Sequence, residues 1–99
     1  MSALLRYELE GIKTEEILAE PLISVGRGET NDVSLADPQA SRSHALLRGT
    51  GEDQYYLIDL GSTNGTSING KRVVVPVLLE NGDKIKIDGV VKSRLMVTN

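Results

Sequence analysis

Three short polar segments interrupt the apolar runs of this chain: Gly26-Arg27, Ser41-Arg42-Ser43-His44 and Gly61-Ser62-Thr63-Asn64-Gly65-Thr66. Each combines Gly or Ser with hydrogen-bonding side chains, and each lies between stretches that read as strands. If strand ends bring them together, they supply guanidinium forks, hydroxyl donors, an amide and backbone N–H groups, which is the inventory for holding an oxyanion. Residue types alone therefore point to an anion or phosphate site. His44, the only histidine, stands beside Ser41 and Ser43 and raises the alternative of a nucleophile and its base. One histidine, no cysteine and scattered carboxylates give no metal-ligand cluster. Asp32, Asp37 and Asp59 have ready roles in turns and at strand ends.

The elements that must carry these segments repeat with period two. Leu5, Tyr7 and Leu9 alternate with Arg6, Glu8 and Glu10, placing apolar side chains on one face and charges on the other, so residues 4–10 read as a strand. Similar short runs lie at 22–25, 45–48, 55–60, 84–87 and 95–97. The run at 73–79 contains Pro76, which cannot donate to a ladder, so it is expected to be irregular or to lie at a sheet edge. Asn64-Gly65, Asn69-Gly70, Asn81-Gly82 and Asp88-Gly89 tolerate the positive φ of tight turns. Residues 13–20 are rich in helix formers, with Thr14 as a cap and Pro21 as a stop. A helix of that length is marginal by itself, and the β pattern around it favours a hairpin between 4–10 and 15–19. The expectation is an all-β single domain spanning 1–99, with its core at about 4–97.

At 99 residues, 39% hydrophobic and 25% charged, the chain falls in the ordinary globular range. Its net charge of −3 argues against a general nucleic-acid binder, whose affinity comes from many Lys and Arg contacts to phosphates. The acids Glu8, Glu10, Glu15, Glu16 and Glu20 crowd the N-terminal part, whereas Arg27 and Arg42 fall in the Gly- and Ser-rich loops. Lys84, Lys86, Lys92 and Arg94 read as a solvated sheet face rather than a second basic surface. Apolar runs are too short to cross a bilayer and no signal-like segment opens the chain, so a cytoplasmic protein without a membrane partner is expected.

The order Gly26-Arg27, then Ser41 to His44, then Asn64-Gly65 resembles the pattern of the forkhead-associated (FHA) family. The run from Asp59 to Gly70, DLGSTNGTSING, is similar to that family's signature, and the resemblance extends from about Leu5 to Val97. It implies an eleven-stranded sandwich of two sheets with recognition loops at one end, binding phosphothreonine in a partner protein downstream of a Ser/Thr kinase, without catalysis or a cofactor. Carried over by motif position, Ser41 would donate to the phosphate, Arg42 would supply charge, and Thr63 would bond the phosphate or its surroundings. Arg27 and Asn64 would hold the peptide backbone, while Gly26, Gly65 and an inward-facing His44 would support the loops. The resemblance also implies a small niche for the threonine methyl beside Thr63 and Asn64.

The chain departs from the common pattern at Ser67, where an aromatic residue is frequent, and at Asp88, where Ile precedes the glycine. With no Phe or Trp, core volume must come from aliphatic residues and tyrosine. These departures are expected to affect packing more than binding. A phosphate-independent interaction domain using a sheet face or edge is the competing function; an unphosphorylated control peptide separates the two.

Overall fold

The computed structural model describes residues 3–9, 11–90 and 93–98. The period-two alternation of the N-terminal stretch forms β1 (Ala3–Leu9) and the residues after the turn form β2 (Ile12–Leu18). The two pair antiparallel from Leu9↔Ile12 to Ala3↔Leu18. The helix formers of 13–20 are thus overridden by a ladder, and Gly11 takes the turn's positive φ of 84°. Glu10 and Lys92, and the side chain of Arg94, lie outside the described residues.

The chain continues through β3 (Leu22–Gly26), β4 (Val33–Ser34), β5 (Ala45–Gly49), β6 (Tyr55–Asp59), β7 (Thr66–Ile68), β8 (Lys71–Arg72), β9 (Val77–Leu78), β10 (Lys84–Ile87) and β11 (Ser93–Thr98). They build one sheet in the order β2-β1-β11-β10-β7-β8 and a second in the order β4-β3-β5-β6-β9. Only Val77 and Leu78 of the run around Pro76 join a ladder, at the edge beside Tyr56 and Leu57, as a residue without an N–H requires. The short strands β4, β7 and β8 were not anticipated. Two- and three-residue elements leave too little sequence for a period to show.

Each sheet turns one apolar face inward. Leu5, Leu18, Ile85, Ile87, Leu95 and Val97 from the first meet Ile23, Val25, Leu47 and Leu57 from the second, all buried. A fully buried side chain of this kind contributes roughly 1.5–3 kcal/mol. Tyr55, the buried aromatic residue, places its hydroxyl 2.8 Å from the carbonyl of Leu18 and 2.7 Å from that of Glu20. It thereby ties the crossing between the sheets to β6, and burial pushes its phenol pKa up. Ser67 and Asp88, the two departures from the family pattern, meet each other: the Ser67 hydroxyl donates to Asp88 Oδ2 at 2.7 Å. Among the described residues no helix is long and apolar enough to cross a membrane.

Candidate functional site

The loops after β3, before β5 and after β6 gather at one end of the sandwich because the antiparallel ladder β3-β5-β6 aligns their strand ends. Close approach of the first two loops depends on Gly26. A Cβ there would collide with the carbonyl oxygen of Arg42, so this glycine serves proximity rather than positive φ. Two backbone bonds then zip the loops, Arg27 N–H to Ser41 O at 2.9 Å and Gly28 N–H to Arg42 O at 3.2 Å. The Asn31 amide adds bonds to Arg42 O at 2.8 Å and to Gly28 O at 2.7 Å.

His44 joins the second loop to the third. It is fully buried; its Nδ1 accepts from the Ser41 N–H at 3.0 Å, and its Nε2 lies 2.7 Å from the carbonyl of Gly65. An acceptor at Nδ1 and a carbonyl facing Nε2 fix the neutral tautomer with the proton on Nε2. Both ring nitrogens are committed to backbone, so neither is left to deprotonate Ser41. Gly65 takes a φ of 94°, which turns its carbonyl toward His44 and toward the Asp88 N–H at 3.0 Å.

The third loop is braced from within by Asp59. Its carboxylate accepts from the Ser62 hydroxyl at 2.6 Å, the Thr66 hydroxyl at 2.7 Å and the Ser62 N–H at 3.1 Å. Burial raises the Asp59 pKa, but these donors outweigh it and hold the carboxyl below its ordinary value. The Ser62 hydroxyl in turn accepts from the Gly65 N–H at 2.9 Å.

On this frame, Ser41 Oγ accepts from the Thr63 N–H at 3.0 Å, which leaves the hydroxyl proton to be given elsewhere. Asn64 donates to Gln39 O at 2.8 Å and lies 3.2 Å from Gln39 Oε1. Arg27, Arg42 and Thr63 are exposed, while Ser41 and Asn64 are half-buried. Among the described residues the one ion pair is Arg6 with Glu15, at 3.3 Å, so Arg27 and Arg42 face solvent without a carboxylate partner. All the residues singled out in the loops therefore meet at one end. Sequence reasoning missed Asn31 and Gln39, whose loop-bridging partners Arg42 and Asn64 lie 11 and 25 residues away; Asn31 also bonds Gly28 three residues back, a local signal that could have been read. It gave Asp59 no more than a turn or strand-end role, although its bonds to Ser62 three residues on form a local motif that could have been read.

The family model described as FHA domain matches residues 23–88, the span that holds Arg27, Ser41, Arg42, Thr63 and Asn64. The chain belongs to the FHA domain family. That family consists of phosphopeptide-binding modules. This FHA domain is 40% identical over 83 residues to the oxoglutarate dehydrogenase inhibitor of Corynebacterium jeikeium, a match covering 84% of the chain and 54% of that protein. It superposes with a TM-score of 0.86 and 31% identity on a solved structure from a study of phosphothreonine-dependent FHA domain interactions, covering 100% of this chain and 97% of that one. On Mycobacterium tuberculosis EmbR in complex with a low affinity phosphopeptide, the TM-score is 0.81 at 26% identity, over 96% of this FHA domain and 24% of EmbR. The chain spans about half the length of the curated relatives it matches.

Proposed function

We propose that this FHA domain binds phosphothreonine in a partner protein, with the phosphate seated between Arg27, Ser41, Arg42 and Thr63 and the adjoining peptide backbone held by Arg27 and Asn64. One observation carries the assignment: Ser41 has an oriented hydroxyl, with its oxygen already accepting from Thr63 N–H, and the adjoining Arg27 and Arg42 form no ion pair among the described residues. A phosphothreonine near −2 charge offers three oxygens to these donors. Hydrogen bonds to charged groups contribute roughly 1.5–3 kcal/mol each, so a few of them give micromolar binding after ordering costs.

The same reading makes the domain a non-catalytic one. His44 spends both nitrogens on backbone, so Ser41 has no base and acts as a donor rather than a nucleophile. The partner is a substrate of a Ser/Thr kinase, met in the cytoplasm, and the domain as a single unit delivers location rather than activity.

Titration with one peptide in phosphothreonine, phosphoserine and unmodified forms tests the proposal. The first should bind and the last should not. Burial of the threonine methyl contributes about 0.8 kcal/mol, roughly fourfold; the stiffer branched side chain and the niche left empty by serine extend the preference to at least about tenfold. Equal binding of phosphorylated and unmodified peptides would defeat the reading.

A further inference from the structure

Arg72 lies at the far side of the same loop and has no role in the site as described. It sits on β8, the edge of the six-stranded sheet, with its Cα opposite Ser67 on β7. Its side chain reaches diagonally to Gly65: a Cβ built on that glycine would lie 2.5 Å from Nη2, 2.7 Å from Cζ and 2.8 Å from Nε. Diagonal neighbours across an antiparallel pair are within reach of a long side chain. The path is open because Ser67 is small and its hydroxyl is turned to Asp88. Gly65 contributes no side chain to push the guanidinium away.

The result is an exposed cation resting on the residue that follows Asn64. Like Arg27 and Arg42, it forms no ion pair among the described residues. Asp88 is held by Ser67, while exposed Lys86 pairs with Ser67 from β10. Arg72 thus stands at the Gly65 end of the Thr63-Asn64-Gly65 segment, whose Thr63 end meets Ser41. Two residues of extended chain span about 7 Å, so a ligand whose phosphate lies at Thr63 brings a side chain over Gly65 within one or two residues.

We propose that Arg72 is a further specificity-determining contact, reading a carboxylate side chain one or two residues from the phosphothreonine. This rests on the phosphothreonine site proposed above. The carboxylate would meet the outer edge of the guanidinium, whose face is occupied by Gly65. The contact is solvent-exposed, which keeps the gain modest.

The test is a phosphothreonine peptide library, randomised over three residues on either side, selected on the wild-type domain and on Arg72→Gln, followed by titration of the selected peptide and its Asp→Ala counterpart. The wild type should enrich Asp or Glu at a position adjacent to, or one removed from, the phosphothreonine. Aspartate there should tighten binding about three- to fivefold, and Arg72→Gln, with an unchanged melting temperature, should abolish that gain while binding the alanine peptide within about twofold of wild type. Uniform weakening of all peptides by Arg72→Gln, or no acidic preference in the wild type, would overturn the inference while leaving the phosphothreonine site intact. Failure of every phosphothreonine peptide to bind the wild type would remove both.

Discussion

His44 Nε2 donates to the carbonyl of Gly65 at 2.7 Å across 21 residues of sequence, and this contact couples the loop bearing Ser41 to the loop bearing Thr63 and Asn64. The same ring accepts from the Ser41 N–H. Replacing His44 with Ala leaves the half-buried Ser41 N–H without its acceptor, leaves the Gly65 carbonyl with Asp88 N–H alone and opens a cavity beneath both loops. The expected cost is about 2–5 kcal/mol of stability, read as a lower denaturant midpoint, with weaker phosphopeptide binding. A variant with full stability and affinity would show that the imidazole is dispensable to the frame.

Ser41→Ala and Arg27→Ala should each weaken phosphopeptide binding by roughly 1.5–3 kcal/mol, about ten- to a hundredfold. Ser41→Ala also takes the acceptor from Thr63 N–H, so it should loosen the third loop, whereas exposed Arg27 should leave the melting temperature unchanged. Calorimetric titration beside thermal melts separates the two effects. Undiminished affinity in both folded variants would place the phosphate elsewhere.

Gly89 sets the position of Asn64. A Cβ on Gly89 would come within 2.8 Å of Asn64 Nδ2, and its φ of 90° is costly for any other residue. Gly89→Ala should therefore displace the Asn64 side chain and weaken peptide binding about as much as Asn64→Ala does. In the double variant the two losses should not add, because both remove one contact. Full additivity in titration would mean that Gly89 acts by another route.

Asp59 predicts how the domain responds to acid. Its folded carboxyl is held below the ordinary 3.8, so its contribution to stability is present above that value and is lost as pH falls through the lower folded one. Urea melts at stepped pH should show the wild type losing stability below about pH 4. Asp59→Asn should be less stable at neutral pH and lose less on acidification. Parallel acid slopes for the two proteins would remove Asp59 from the account.

Much of this was legible in the sequence because it is written locally. Alternation at Leu5 and Tyr7 marked a strand, the Asn-Gly and Asp-Gly pairs marked turns, and Pro76 marked an irregular edge; each depends on neighbours within a few residues. The ordered motifs around Arg27, Ser41 and Asn64 indicated a phosphate site for the same reason, since each donor lies beside the glycine or serine that shapes its own loop. The strands β4, β7 and β8 escaped, being too short for a period to register.

The sequence by itself determined the fold class, the turns and the chemistry of the donors, all of which follow from residue type and near spacing. Only the tertiary structure decided what each donor is free to do. The tautomer of His44 depends on Ser41 N–H and Gly65 O, the place of Asn64 depends on Gln39 and Gly89, and the reach of Arg72 depends on the register that sets it opposite Ser67. Ser41 lies three residues from His44 and Ser67 faces Arg72 across one hairpin, but Gly65 lies 21 residues from His44 and Gln39 lies 25 from Asn64, so those meetings are fixed by how the strands assemble into sheets rather than by spacing along the chain.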